Sequence, residues 1–260
     1  VALFADILTL KEALEFDLHI KKEGDFQLTS CCCPVWIAMI RNIYEELMPH
    51  VPASVSPMIA CGRMIKRLYP DAVTAFVGPC LAKKKEAREE DIQGAVDYVL
   101  TFQEMKDIFE AADIHLEALP EDEREHASRA GRLYARTGGV SEAVASMTRQ
   151  LRPEKLHVRA EQAEGTKACM EMIQRIKKGE TNANFFEGMG CVGGCVGGPK
   201  TLRKQEEGRA CVDNYAEESL YKTPLENPYV RKILEELGLG TIEDLIEDSI
   251  LERDFSKRTG

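Results

Sequence analysis

The chain has 260 residues, 44% hydrophobic and 30% charged, the balance of an ordinary folded protein long enough for a sizeable core. Its formal net charge of −10 speaks against nucleic acid or an anionic membrane as partner, and no apolar run nears the roughly 20 residues that span a bilayer. Without a signal-peptide pattern, its nine cysteines are expected in a reducing, cytoplasmic setting, where a thiol is a small buried hydrophobe or a metal ligand rather than half of a disulfide.

The chain opens on "VALFADILTL", with no initiator methionine and partway through an apolar pattern, so it reads as a fragment. The spacing of apolar residues predicts helices in "DILTLKEALEFDLHI", "WIAMIRNIYEELMPHV" and "SPMIACGRMIKRLY", the last opened by Ser56 at the cap and Pro57 at the first helical position. "DAVTAFVGP" is a short buried strand that delivers Cys80 at its carboxyl end. A charged stretch, "LAKKKEAREED", leads to a second strand, "AVDYVLTF", and the helix "QEMKDIFEAADI". Residues 117–130, "EALPEDEREHASRA", read as a polar surface loop. "GGVSEAVASMTRQL" is a helix, "EKLHVRAEQ" strand-like, "GTKACMEMIQRIKKGE" a helix, and "ANFFEGMG" a strand that ends at Cys191. "ENPYVRKILEELG" and "TIEDLIEDSI" close the chain as helices. Strands alternating with helices predict an α/β fold with mainly parallel sheets, whose ligands bind beyond the carboxyl ends of the strands. Cys80 and Cys191 both fall at that edge.

Cys61 and Cys169 sit within helical patterns and read as core, and Cys211 is equally unremarked by its surroundings. The other six cysteines form three clusters: "TSCCCPVW" (29–36), "FVGPCLAKKKE" (76–86) and "FFEGMGCVGGCVGGPK" (185–200). Each alone is weak, since a pair of cysteines four apart suits helix packing and Gly-Pro-Cys suits a turn. Together they hold enough thiolates for a four-ligand site. Zinc is the default metal for four cysteines, but the spacing is not that of paired zinc knuckles. The glycines of the third cluster point instead to backbone closing on a bulky iron–sulfur group with N–H donors to its sulfurs.

These three motifs, in this order, resemble the catalytic H-cluster domain of [FeFe]-hydrogenases, whose members carry TSCCPxW, PCxxKKxE and ExMxCxxGCxxGG. The similarity runs over nearly the whole chain, and "TGGVSEAV" also resembles a family segment. The resemblance implies one H-cluster domain over 1–260, lacking the upstream part of that domain, built as two α/β lobes with a parallel sheet in each and the cofactor in the cleft between. It implies a [4Fe–4S] cluster joined through one cysteine to a diiron subcluster bearing CO, cyanide and a bridging dithiolate. Carried over by motif, Cys33, Cys80 and Cys191 are ligands of the cubane, and Cys195 is ligand and bridge. Lys83 then donates to a diiron cyanide, Met189 packs beside the diiron unit, Ser56 lies near it and Tyr134 is the neighbouring aromatic. Cys32 is the proton relay, and Glu12 and Glu15 are the outward relay carboxylates. The implied activity is reversible H2 oxidation and proton reduction. The implied partners are H2, protons, ferredoxin or another iron–sulfur carrier, and the maturation proteins that insert the diiron unit.

The chain departs from that pattern at four places. Three consecutive cysteines replace two, so a one-residue shift of Cys31, Cys32 and Cys33 would exchange ligand and relay. Gly78 stands where the family has methionine, which is expected to open space beside the diiron unit. Pro52 stands where the relay has a serine, so the outward path is expected to be broken, rerouted or bridged by water. The third motif ends "GGPK", with Lys200 near the cluster by sequence. Two alternatives remain open: an H2 sensor of low turnover, and a hydrogenase-like iron–sulfur assembly protein holding cubanes without a diiron unit.

Overall fold

The computed structural model describes residues 1–29, 32–120 and 126–256; Ser30, Cys31 and the tip of the acidic loop lie outside them. Its centre is helix α1 (Ala2–His19), in which every residue from Ala5 to Phe16 is buried. A helix apolar on all sides packs on all sides. Helices from both halves of the chain surround it, including α3 (Pro57–Leu68) and α7 (Gly139–Leu151). The few charged residues on α1 must therefore find partners in the interior. Asp6 does so by accepting from the backbone N–H and hydroxyl of Ser128, the N–H of Gly131 and the amide of Asn227.

A short strand β1 (Gln27–Leu28) precedes helix α2 (Pro34–Ile43), and a 3-10 stretch containing Pro49 follows it. Proline has no N–H to continue an α-helix. The single helix expected over 36–51 is therefore two pieces. Ser56 and Pro57 open α3 as predicted. Strand β2 (Ala75–Gly78) leads to the five-residue helix α4 (Ala82–Glu86), which forms within the stretch that reads only as charged. Strand β3 (Tyr98–Thr101) runs into helix α5 (Phe102–Ala111) through a capping box: Thr101 Oγ1 accepts from Glu104 N, and Glu104 returns a carboxylate to Thr101 N.

The expected loop over 117–130 is corrected at its end. Ser128 and Ala130 are buried, and Ser128 caps helix α6 (Arg129–Arg132) while bonded to Asp6. Beyond α7 come strand β4 (Ala160–Glu164), helix α8 (Thr166–Lys178), strand β5 (Phe185–Met189) and helix α9 (Gln205–Glu217), the last of which has no forecast in the sequence reading. Helices α10 (Pro228–Glu236) and α11 (Asp244–Glu247) complete the chain, α11 being one turn rather than a longer helix.

The strands form two parallel sheets, β1-β5-β4 and β2-β3, as the α/β reading expects of two lobes. Strand β5 is central and buried throughout. Its alternation sends Phe185 into the large core around α1 and Phe186 into a second core with Trp36, Met172 and Ile173. Cys169 belongs to that second core, whereas Cys61 is only partly buried and Cys211 is exposed. Among the described residues, no helix is long and apolar enough to cross a membrane.

Candidate metal centre

Three loops meet at the carboxyl ends of the two sheets. The turn after β1 carries Cys32 and Cys33 into α2. The turn after β2 carries Cys80 into α4. The turn after β5 carries Cys191 and Cys195, the latter within the 3-10 stretch Gly194–Gly197. Cross-links hold them together: Gly190 N donates to Cys33 Sγ at 3.2 Å, and Lys200 N donates to Pro79 O at 3.1 Å.

The glycines of the third loop do a different job from the one expected. A Cβ on Gly188 would lie 2.1 Å from Trp36 Cε3, and one on Gly190 would lie 2.6 Å from Val35 Cβ. Gly194, at φ +79°, turns the chain where a side chain would also strike Thr137 N at 2.7 Å. The missing side chains let α2 and the Arg136–Thr137 turn close on the cysteine loop. Protein, rather than cofactor, fills the space at these positions.

Cys33 caps the start of α2, so its sulfur faces the N–H groups of Val35 and Trp36 as well as Gly190. Burial nevertheless pushes its thiol up to about 11. Cys195 is held well above the ordinary thiol range, first by burial and then by Cys33, with Lys83 opposing and Cys32 and Cys80 adding to the rise. Cys191 is raised by burial and by Cys80. Cys33, Cys191 and Cys195 are thus each raised by burial with a neighbouring thiol adding to it, and a metal group that took their protons would relieve the conflict. Among the described residues, no three Cys, His, Asp or Glu side chains stand close enough to hold one metal ion.

Lys83 reaches this site from α4, buried, with Nζ 2.7 Å from Glu86 Oε2. Burial works against its charge, but Glu86 and the sulfurs of Cys195 and Cys80 outweigh burial and raise its pKa. Lys83 is thus already paired on one side, and the sulfurs of Cys195 and Cys80 lie on another. Ser56 Oγ is a buried polar atom with no hydrogen-bond partner; such an orphan costs about 1–3 kcal/mol and marks where an absent group would bond. A cofactor with anionic ligands fits beside this ammonium and hydroxyl. Met189 and Cys32 are buried in the large core around α1.

Glu12 and Glu15 are buried rather than on a solvated helix face. Glu15 accepts from Ser54 Oγ, 3.0 Å from both its oxygens, and from Lys11 Nζ, which also donates to Ser54 at 2.9 Å. Pro52 itself supplies no hydroxyl, but one stands against Glu15 two residues further on, at Ser54. Glu12 accepts from Gln27 Nε2 at 3.3 Å, and Gln27 Oε1 lies 3.4 Å from Nδ1 of the exposed His19. Tyr134 is buried, its hydroxyl accepting from Thr9 on α1 at 2.9 Å. Gly78 does not leave open space either, since the Phe76 ring lies 2.7 Å from where its Cβ would be.

Sequence reasoning overlooks Glu187, within the third motif. Fully buried, its carboxylate accepts from Gly138 N and Ser141 N at 2.8 Å and from Ser141 Oγ at 2.7 Å, and so caps α7. Burial raises its pKa against those hydrogen bonds. A carboxylate in an otherwise apolar strand is the signal that could have disclosed it.

Two parallel sheets, with half-buried cysteines gathered where their strand ends meet, are the arrangement of an iron–sulfur protein of the hydrogenase type. The chain belongs to the family described as iron only hydrogenase large subunit, C-terminal domain, whose profile matches residues 1–199. It is 28% identical to iron hydrogenase 1 of Clostridium pasteurianum over 248 residues, covering 77% of this chain and 43% of that protein. It is 26% identical to the nuclear prelamin A recognition factor of Homo sapiens over 242 residues, covering 75% of this chain and 53% of that protein. A shorter match, 30% identical over 79 residues, covers 30% of this chain and 17% of the cytosolic Fe-S cluster assembly factor NAR1 of Kluyveromyces lactis. The chain thus spans about half the length of the main curated relatives it matches. A solved [FeFe]-hydrogenase studied for oxygen inactivation superposes with a TM-score of 0.75 at 21% identity, over 96% of this chain and 82% of that one. An [FeFe]-hydrogenase of Chlamydomonas reinhardtii gives 0.73 at 20% identity with the same coverage. These structures share the fold.

Proposed function

We propose that residues 1–260 act as one H-cluster domain that interconverts H2 with two protons and two electrons. The observation that carries this reading is Lys83. A cubane-only site has no task for a buried ammonium that pairs with Glu86 on one side and stands beside Cys195 and Cys80 on another, whereas a diiron unit with cyanide ligands does. Cys33, Cys80, Cys191 and Cys195 would hold the cubane, with Cys195 as the residue shared with the diiron unit. When bound, that unit supplies the centre at which H2 is split or formed. Lys83 and Ser56 orient it by hydrogen bonds, Met189 and Tyr134 close the pocket around it, and burial excludes water. Cys32 Sγ holds the proton moving to or from the centre, and Glu12 and Glu15 carry it outward, with Ser54 Oγ at the outer carboxylate. Electrons pass to a ferredoxin-type iron–sulfur carrier, and the diiron unit comes from maturation proteins.

A second reading is favoured by the relatives that are not named as hydrogenases: a cubane-holding protein of iron–sulfur assembly. Infrared spectroscopy separates the two. The protein, reconstituted with iron, sulfide and the diiron complex, is expected to show carbonyl and cyanide bands that shift reversibly between H2 and argon. Turnover on that sample distinguishes an enzyme from a sensor. Intact iron–sulfur absorbance without such bands would favour the assembly reading.

A further inference from the structure

Arg253 lies far beyond the family-matched residues 1–199, yet its side chain is only 4% exposed and faces the Lys83 helix. Its guanidinium donates to Glu89 Oε2 at 2.6 Å and to Asp91 at 3.0 and 3.1 Å, and stacks over the Phe255 ring at 4.6 Å. Its remaining Nη1 points at Glu86 Oε1, 4.0 Å away. The other oxygen of Glu86 is the one paired with Lys83 Nζ. Glu86 is thus shared between two cations, one at each oxygen.

The surrounding charges show what this sharing achieves. Arg41 donates to Glu89, and Arg63 donates to the backbone carbonyl of Asp91. The cations Arg41, Arg63, Lys83 and Arg253 outnumber the carboxylates Glu86, Glu89 and Asp91 by one. Arg63 donates only to backbone carbonyls and is partly exposed, so the buried carboxylates are divided among Arg41, Arg253 and Lys83. Lys83 Nζ has Glu86 on one side and the sulfurs of Cys195 and Cys80 on another, so how tightly Glu86 holds it decides what it offers the site.

The same segment also grips the loop before α3. Val55 N donates to Leu251 O and Arg253 N donates to Ala53 O, both at 2.9 Å, and Ser54 bridges to Glu252. Arg63 Nη1 donates to the carbonyls of Ile250 and Glu252. One strap thus fixes the backbone that carries Ser54 and Ser56 as well as the acid that holds Lys83.

We propose that Arg253 is a positioning residue for Lys83: by holding the far side of Glu86 it leaves the Lys83 ammonium free to bond an anionic ligand of the metal centre. The identity of that ligand as a diiron cyanide rests on the function proposed above. The coupling among Arg253, Glu86 and Lys83 does not. Without Arg253, Glu86 has only Lys83 as a counter-ion and draws it away from the site. Residues that orient the ligands of a metal group commonly alter its binding by about 10–100-fold when replaced.

Two measurements test this on the full chain. In the iron-free protein, urea unfolding of Arg253→Gln, Glu86→Gln and the double variant is expected to be non-additive by at least about fivefold in the unfolding constant. Arg253→Lys, which keeps the charge, is expected to lie between Arg253→Gln and the parent, and serves if the glutamine variant fails to fold. In the reconstituted protein, Arg253→Gln is expected to keep its iron and sulfide content and cubane absorbance. It should take up the diiron complex at least tenfold less well, or with displaced cyanide bands. Additive unfolding together with unchanged uptake and bands overturns the proposal. Loss of cubane in step with stability also overturns it, because that is the mark of a purely structural residue. If the parent chain itself shows no carbonyl or cyanide bands, the hydrogenase reading fails, and the unfolding cycle alone decides whether Arg253 acts through Glu86.

Discussion

Replacing Gly188 by alanine tests the claim that bare backbone in the third motif serves the packing of α2. The added methyl would lie 2.1 Å from Trp36 Cε3, 2.2 Å from Cδ2 and 2.6 Å from Cζ3. Ordinary contact begins near 3.4 Å, so the ring and the strand must separate by about 1.3 Å. The ring has little freedom to yield: Trp36 is 1% exposed and its Nε1 donates to Thr29 O at 3.0 Å. Overpacking of this kind costs about 1–3 kcal/mol. For a chain of this size that is a fall in Tm of roughly 2–12 °C. Because Trp36 sits one turn beyond Cys33 on α2, the displacement should also loosen the cysteine cluster. Calorimetry of the iron-free protein reads the first effect, and iron and sulfide content after reconstitution reads the second. A Gly188→Ala protein with unchanged Tm and full iron content would refute the packing argument and return the glycines to the cofactor.

Other expectations follow from single contacts. Lys83→Ala leaves the buried Glu86 carboxylate only its 4.0 Å contact with Arg253 and is expected to destabilise the iron-free chain by about 3 kcal/mol, with Lys83→Ala/Glu86→Gln recovering much of the loss in urea unfolding. Ser54→Ala removes the hydroxyl bonded to Glu15 and is expected to slow proton-dependent turnover by roughly 100-fold while leaving infrared bands in place; unchanged turnover would direct the outward route through Gln27 and His19 instead. Asp97 is held at about 2, below its ordinary 3.8, first by Lys66 and then by the N–H of Thr74, where it ties β3 to β2. A depressed carboxylate contributes stability that is present above 3.8 and lost as pH falls through about 2, so Asp97→Asn is expected to flatten acid unfolding over that window when followed by circular dichroism.

Several features were legible locally because a local rule produces them. Apolar periodicity marked α1, α3, α7 and α8, and Ser56-Pro57 marked the exact turn at which α3 begins. Short β-branched and aromatic runs marked β2, β3 and β5, although β1, two residues long, carries no pattern to read. Helix α9 was missed because its sequence is mostly polar and only Ala216 is buried on it. The glycines were recognised as needing close approach, but composition does not say what approaches.

The sequence by itself determined that six cysteines gather in three short motifs, that strand ends deliver Cys80 and Cys191, and that Lys83 follows Cys80 by about one helical turn. These follow from residues within a few positions of one another. Only the tertiary structure decided which residues complete the site. Ser54 meets Glu15 across 39 positions, Glu187 caps α7 across 46, and Arg253 reaches Asp91 across 162. A buried charge must be paired, but any partner of the right sign satisfies that requirement. The choice among candidates is made by which chain segments the packed core brings within hydrogen-bond distance.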